Sequence, residues 1–243
     1  MPKPLKEDSL LAAPPVLTDA LLHRIYELNL DYLRLLRSEQ AEAHCAAQLQ
    51  HFPPQVLELI ASSGAQALQR LARAPYTLYS LGFEDLKFWR AACDGDDELA
   101  ARYCTNTSAW VQGPFYEVAL LFAWHIATSN RLAARVVLAM PDELIGLFVD
   151  TPLARIRRIA IDYPGLLMPR WPANPGFWPD LLRFAQGDDR ARLTTVTLLG
   201  TQLIAAQLQA SAGQDQRVLN AHRLQYSARV RGGKVRMKLG VGS

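Results

Sequence analysis

Over most of the chain, apolar residues recur at intervals of three and four; regular alternation is confined to the carboxyl-terminal stretch. That pattern predicts a mainly α protein. Thr18 and Asp19 offer an N-cap for a helix reaching at least Arg37, in which Leu21, Ile25, Leu28, Tyr32 and Leu35 form one seam. Leu22, Tyr26, Asn29, Leu33 and Leu36 form a second seam beside it. Two adjacent seams make a stripe wide enough for more than one neighbour, inside the domain or in a second copy. Asn29 within it is either a register-fixing amide between chains or a hydrogen-bonded core residue.

Pro53-Pro54 breaks the Ala-rich continuation, and short helical patterns follow over Gln55–Ala61 and Gly64–Ala74. A tight turn between them is compatible with a helix-turn-helix or with an ordinary helical hairpin. Pro75 to Phe83 reads as extended, and Phe88 and Trp89 as closing the module. The acidic patch Asp94–Glu98 marks a boundary region. Beyond it, helices are predicted from Gly113 to Thr128, from a Ser129 cap to Met140, over Pro141–Phe148, and after Asp150-Thr-Pro152 to Asp162. A connector rich in Pro and Trp runs to Pro179, and further helices cover Pro179–Gln186 and Asp189–Ala210. The division is a leader (1–16), a helical module (17–93), a second helical domain (94–215) and a basic tail (216–243). The fold class expected is therefore mainly α, with two helical subdomains and a C-terminal segment open to hairpin formation.

Pro54-Gln-Val-Leu57 followed by Leu68-Gln-Arg-Leu-Ala72 has a counterpart in Pro141-Asp-Glu-Leu144 followed by Ile156-Arg-Arg-Ile-Ala160, with spacing that differs by one residue. The second domain is thus a candidate diverged repeat; chance matching in a Leu-, Ala- and Arg-rich chain is the alternative.

Charge changes the picture at the carboxyl end. Residues 216–243 hold seven Lys or Arg and no carboxylate, whereas the first 215 carry 19 basic against 23 acidic residues. A slightly acidic body with a concentrated basic end suits an anionic surface, nucleic acid above all. Tyr226–Arg231 and Lys234–Leu239 alternate about Gly232-Gly233, which suits a two-residue hairpin turn. One face would carry Val230, Val235, Ala228 and Met237. The other would carry Arg229, Arg231, Lys234, Arg236 and Lys238 as candidate nucleic-acid contacts. An edge hairpin with a solvated charged face and a disordered arm are the competing readings. Arg155, Arg157 and Arg158 form a second basic cluster for phosphate, a solvated helix face being its alternative.

Leu21-Leu-His-Arg-Ile-Tyr-Glu-Leu-Asn-Leu-Asp-Tyr-Leu33 resembles the opening helix of the bacterial flagellar transcriptional regulator FlhD. The similarity returns at Leu57–Ile60, Leu68–Ala72 and Leu81-Gly-Phe-Glu-Asp85, and covers about residues 18–90. The resemblance implies a helical, dimerising transcription factor that activates promoters together with an FlhC-like partner. It makes the seam Leu21, Ile25, Leu28, Tyr32 and Leu35 the inferred dimerisation element, and assigns no base-contacting residue. FlhD-like proteins also occur among regulators of mobile elements, so flagellar control does not carry over. This chain is about twice the family's length, and the similarity does not extend to its second half.

The five histidines are dispersed and match no His-Glu-x-x-His or Cys/His ligand pattern, and no phosphate-binding glycine loop or nucleophile elbow occurs. No enzymatic activity, cofactor or metal is expected, and His125 reads as a core histidine. Cys45, Cys93 and Cys104 are scattered and read as buried thiols in a reducing, cytoplasmic compartment. The longest apolar stretch, Val118–Ala127, is too short for a membrane span. The expectation is a DNA-binding regulator that is a homo-oligomer or works with a protein partner. The competing reading is a helical protein–protein adaptor, associated for example with secretion.

Overall fold

The protein is described by a computed structural model covering residues 17–41, 52–103, 113–187 and 189–211. Helix α1 (Asp19–Ala41) starts where Thr18 Oγ1 accepts from the Leu21 amide. After it come α2 (Pro54–Ser62), α3 (Ala65–Leu71), the two-residue strand β1 (Tyr79–Ser80), α4 (Leu86–Asp94) and α5 (Asp97–Tyr103). The second half holds α6 (Gly113–Ser129), α7 (Arg131–Leu138), α8 (Asp142–Asp150) and α9 (Leu153–Asp162). Strand β2 (Met168–Pro169) and α10 (Trp178–Gln186) follow, then α11 over residues 190–211. The fold is mainly α, with one small antiparallel sheet in which Tyr79 faces Pro169 and Ser80 faces Met168.

Local chemistry sets most boundaries. Asp85 accepts from the Phe88 amide to start α4, and Gly95 ends it in the left-handed conformation. The acidic patch is consequently a helix junction: Asp96 accepts from the Leu99 amide, and Asp97 and Glu98 occupy the favourable first turn of α5. The α7 cap is Asn130, whose side chain accepts from the Ala133 amide; the Ser129 hydroxyl instead donates back to His125 O.

The packing is reciprocal. Helix α1 lies on α2 and α3, and α6 lies on α8 and α9. Helix α4 crosses to pack on α8 and α9, while α10 crosses the other way onto α2 and α3. The buried side chains of both halves form one contiguous cluster. Tyr32 of α1, Tyr79 of β1 and Phe115 of α6 meet in it with ring centroids 5.2–5.8 Å apart.

A polar spine runs through that core. Asn29 is fully buried; its Nδ2 donates to the carbonyls of Tyr76 (2.8 Å), Ala72 (3.2 Å) and Ala74 (3.3 Å). Its Oδ1 accepts from the Leu78 amide at 2.9 Å. An amide nitrogen has two hydrogens, so the two longer contacts share one of them. The same extended segment donates from Thr77 N to Val137 O, and Leu78 O accepts from Arg170 N. Asn29 is therefore a hydrogen-bonded core residue, the second of the two readings its position allowed.

Arg170 is 3% exposed and has no ion pair among the described residues; it caps α7 instead. Its Nη2 donates to Leu138 O at 2.6 Å and its Nη1 to Val137 O at 3.4 Å. Carbonyls at a helix C-terminus carry partial negative charge, which suits a cation. Desolvation still pushes the guanidinium pKa down to about 10, with the nearby Glu84 carboxylate opposing the shift.

Two substitutions test this packing. Asn29→Ala leaves buried carbonyls and the Leu78 amide unpaired, and should lower unfolding free energy by about 3 kcal/mol in chemical denaturation. Gly200 lies on α11 where an added Cβ would overlap the Tyr76 hydroxyl and ring, the hydroxyl itself donating to Thr197 O at 3.0 Å. Gly200→Ala should destabilise the fold although alanine favours helix, whereas Gly200→Ala with Tyr76→Phe should stay destabilised because the ring still blocks the site.

Candidate nucleic-acid interface

The Arg155–Arg158 cluster lies on α9, and each guanidinium meets a carboxylate. Arg155 Nη2 is 2.6 Å from Asp97 Oδ1, and its Nε donates to Ala92 O, which leaves its side chain 18% exposed. It is a bracket between α9, α4 and α5. Arg157 reaches Glu117 of α6 at 3.3 Å, and Arg158 pairs with Asp162 one turn along at 2.6 Å. The last two pairs are largely exposed and add little stability, but their carboxylates cancel the positive field that a phosphate would feel. The Arg155 hydrogen bond holds the Asp97 carboxyl below its ordinary value of 3.8.

A more basic surface lies between α3 and α11, from residues not singled out in the sequence. Gln66, Gln69, Arg70 and Arg73 lie along one face of α3 and its last turn, at the spacing that places them together. Arg190, Leu193, Thr194 and Thr197 of α11 form the opposite wall of an open groove of about 570 Å³. Among the described lining residues none carries a carboxylate; the nearby Asp189, which opens α11, pairs with Arg192 at 3.2 Å. The Arg70 guanidinium donates to Gly187 O, which fixes it at the groove's edge; Arg73 and Arg190 are exposed. The groove exists because α10 carries the chain across onto α2 and α3. There the Gln186 amide donates to Leu59 O and to the Ser62 and Ser63 hydroxyls, setting α11 down beside α3.

Scans of family models, curated proteins and solved structures find no match to this chain. The site stands on its geometry.

Arg229, Arg231, Lys234, Arg236 and Lys238, with the expected hairpin, lie outside the described residues. So do Cys45 and Cys104; Cys93 is half-buried, and burial pushes its thiol pKa up. In the α1 seam, Ile25, Leu28 and Tyr32 are buried within this chain, whereas Leu21 and Leu35 are partly exposed. The stripe that the resemblance assigns to dimerisation thus faces α2, α3 and α6 of its own chain at its centre. His125 is exposed beside Thr18 and Ser129, not in the core: it sits on the solvent side of α6. Among the described residues no three metal-ligating side chains cluster, and no helix is long and apolar enough to cross a membrane.

The Asp97–Arg155 pair gives a pH signature with a definite sign. A carboxyl held below its unfolded pKa stabilises the fold above that unfolded value, and the contribution disappears as pH falls through the lowered folded one. NMR titration should place the Asp97 midpoint below 3.8 in the native protein and closer to 3.8 in Arg155→Met. The same midpoint in both proteins would show that Arg155 is not the cause.

Proposed function

We propose that this chain is a DNA-binding transcriptional regulator whose α3–α11 groove receives a phosphate backbone, with the basic segment 216–243 adding contacts. The observation that supports the reading is the convergence of Arg70, Arg73 and Arg190 on one open groove. Arginine forks suit phosphate, and the neighbouring Gln66 and Gln69 amides suit phosphate oxygens or base edges. The described part of α11 reaches residue 211, and the basic segment follows it closely in the sequence. Regulation as a homo-oligomer or with an FlhC-like partner belongs to the same reading and follows from the FlhD resemblance. A cytoplasmic location fits a protein that acts on DNA.

A second reading, a protein–protein adaptor, draws on another face. Val149 of α8 and Leu153 and Ile161 of α9 are 51%, 43% and 63% exposed, more than their apolar side chains favour in isolation. The two readings separate in one experiment. Chromatin crosslinking in cells should enrich promoter DNA under the regulator reading; recovery of protein partners with no DNA enrichment supports the adaptor.

In solution, affinity for duplex DNA should fall steeply as salt rises, because phosphate neutralisation releases counterions. Replacing Arg229, Arg231, Lys234, Arg236 and Lys238 together with Gln should flatten that dependence by up to about five in log–log slope while the circular dichroism of the helical body stays the same. An unchanged slope would remove the tail from the interface.

A further inference from the structure

A hollow of about 210 Å³ lies between the start of α1 and the corner where α6 gives way to α7. Helical spacing builds it from two faces. Phe122, His125, Ile126 and Ser129 recur at three and four residues along α6, and Leu21 and Arg24 stand three apart on α1. Leu21, Phe122 and Ile126 give it an apolar floor, with Ile126 buried and the other two half-buried. Arg24 and His125 are exposed and form its rim.

The polar groups differ in what they can still donate. Neither the Arg24 guanidinium nor the His125 imidazole makes a hydrogen bond or ion pair among the described residues. Thr18 Oγ1 accepts from the Leu21 amide at 3.2 Å, which leaves the hydroxyl proton free to donate. The Ser129 hydroxyl donates to His125 O at 2.6 Å, so towards the hollow it offers only an acceptor. No carboxylate is among the described lining residues. Glu27, the acid nearest to Arg24 in the sequence, pairs with His23 at 3.3 Å, and Asp19 is exposed and does not line the hollow.

Donors around an apolar floor suit a carboxylate with a compact apolar body. The Arg24 fork matches the two carboxylate oxygens, while His125 and Thr18 each add one donor. Contact of the apolar body with Phe122, Ile126 and Leu21 supplies further affinity as water leaves that surface. Size narrows the class: an apolar cavity of about 150 Å³ binds benzene, so this hollow has room for one ring and its carboxylate. We propose that the hollow is a binding site for a small aromatic monocarboxylate, held by Arg24, His125 and Thr18 with its ring on Phe122 and Ile126. A ligand there bridges α1 and α6, which pack together across the two halves of the chain. The site shares no lining residue with the α3–α11 groove and does not depend on the nucleic-acid reading.

The test uses the full-length chain and benzoate as the probe, with binding read from the NMR shifts of the Ile126 methyls and the His125 imidazole. Benzoate should give saturable shifts at both residues. Acetate keeps the carboxylate without the ring, and benzamide keeps the ring without the charge; each should bind about tenfold more weakly or worse. Arg24→Gln should lose about tenfold in benzoate affinity. Arg34→Gln, which alters an exposed α1 arginine paired with Asp31 and outside the hollow, should stay within about twofold of the parent. Both arginines are exposed, so unchanged circular dichroism is expected of both variants. No shift at Ile126 and His125 up to about 10 mM benzoate would overturn the proposal. So would equal affinity for benzoate and either analogue, or undiminished benzoate binding by Arg24→Gln.

Discussion

The non-helical segment that leads from the end of α3 to β1 runs into the interior, and the Asn29 amide satisfies four backbone groups between Ala72 and Leu78. A non-helical backbone inside an apolar core is costly unless its carbonyls and amides are paired. Asn29 does the pairing from α1; Val137 at the end of α7 and Arg170 beside β2 complete it. Because those partners come from both halves, the segment ties the halves into one core. The crossing helices then follow: with β1 held against β2, α4 and α10 each continue over the opposite half.

That interlock bears on assembly and on charge. Apolar surface of α1 that would otherwise be open to a second copy is partly covered within this chain, as the burial of Ile25, Leu28 and Tyr32 illustrates. Around α9, Arg155, Arg157 and Arg158 work against Asp97, Glu117 and Asp162. Between α3 and α11, Arg70, Arg73 and Arg190 share a groove lined also by Gln66, Gln69, Thr194 and Thr197.

Much of the helical order was legible in the sequence because its signals are local. Proline caps, the Thr18 hydroxyl and the three- and four-residue apolar spacing act within a turn or two. Asn29 was visible as a polar residue in an apolar stripe, but its partners lie 43 to 49 residues further on and leave no local trace. The pairing of Arg158 with Asp162 could have been read from its four-residue spacing. Those of Arg155 and Arg157 span 58 and 40 residues and could not. Nothing adjacent to Arg170 in the sequence signals its burial, because the α7 carbonyls that hold it lie 32 and 33 residues away. The α3–α11 groove was hidden for the same reason, although a glycine in the middle of an Ala- and Leu-rich helix, Gly200, hinted at a close crossing there. The basic tail, the strongest charge signal in the chain, lies outside the described residues.

Native-state hydrogen exchange on the full chain tests most directly whether one spine unites both halves. The Leu78 amide, held by Asn29, should exchange only through global unfolding, with the same opening free energy and denaturant dependence as core amides of α2, α3, α8 and α9. Two separate opening energies, one for the α2–α3 half and another for the α8–α9 half, with Leu78 following only one of them, would contradict a single interlocked core.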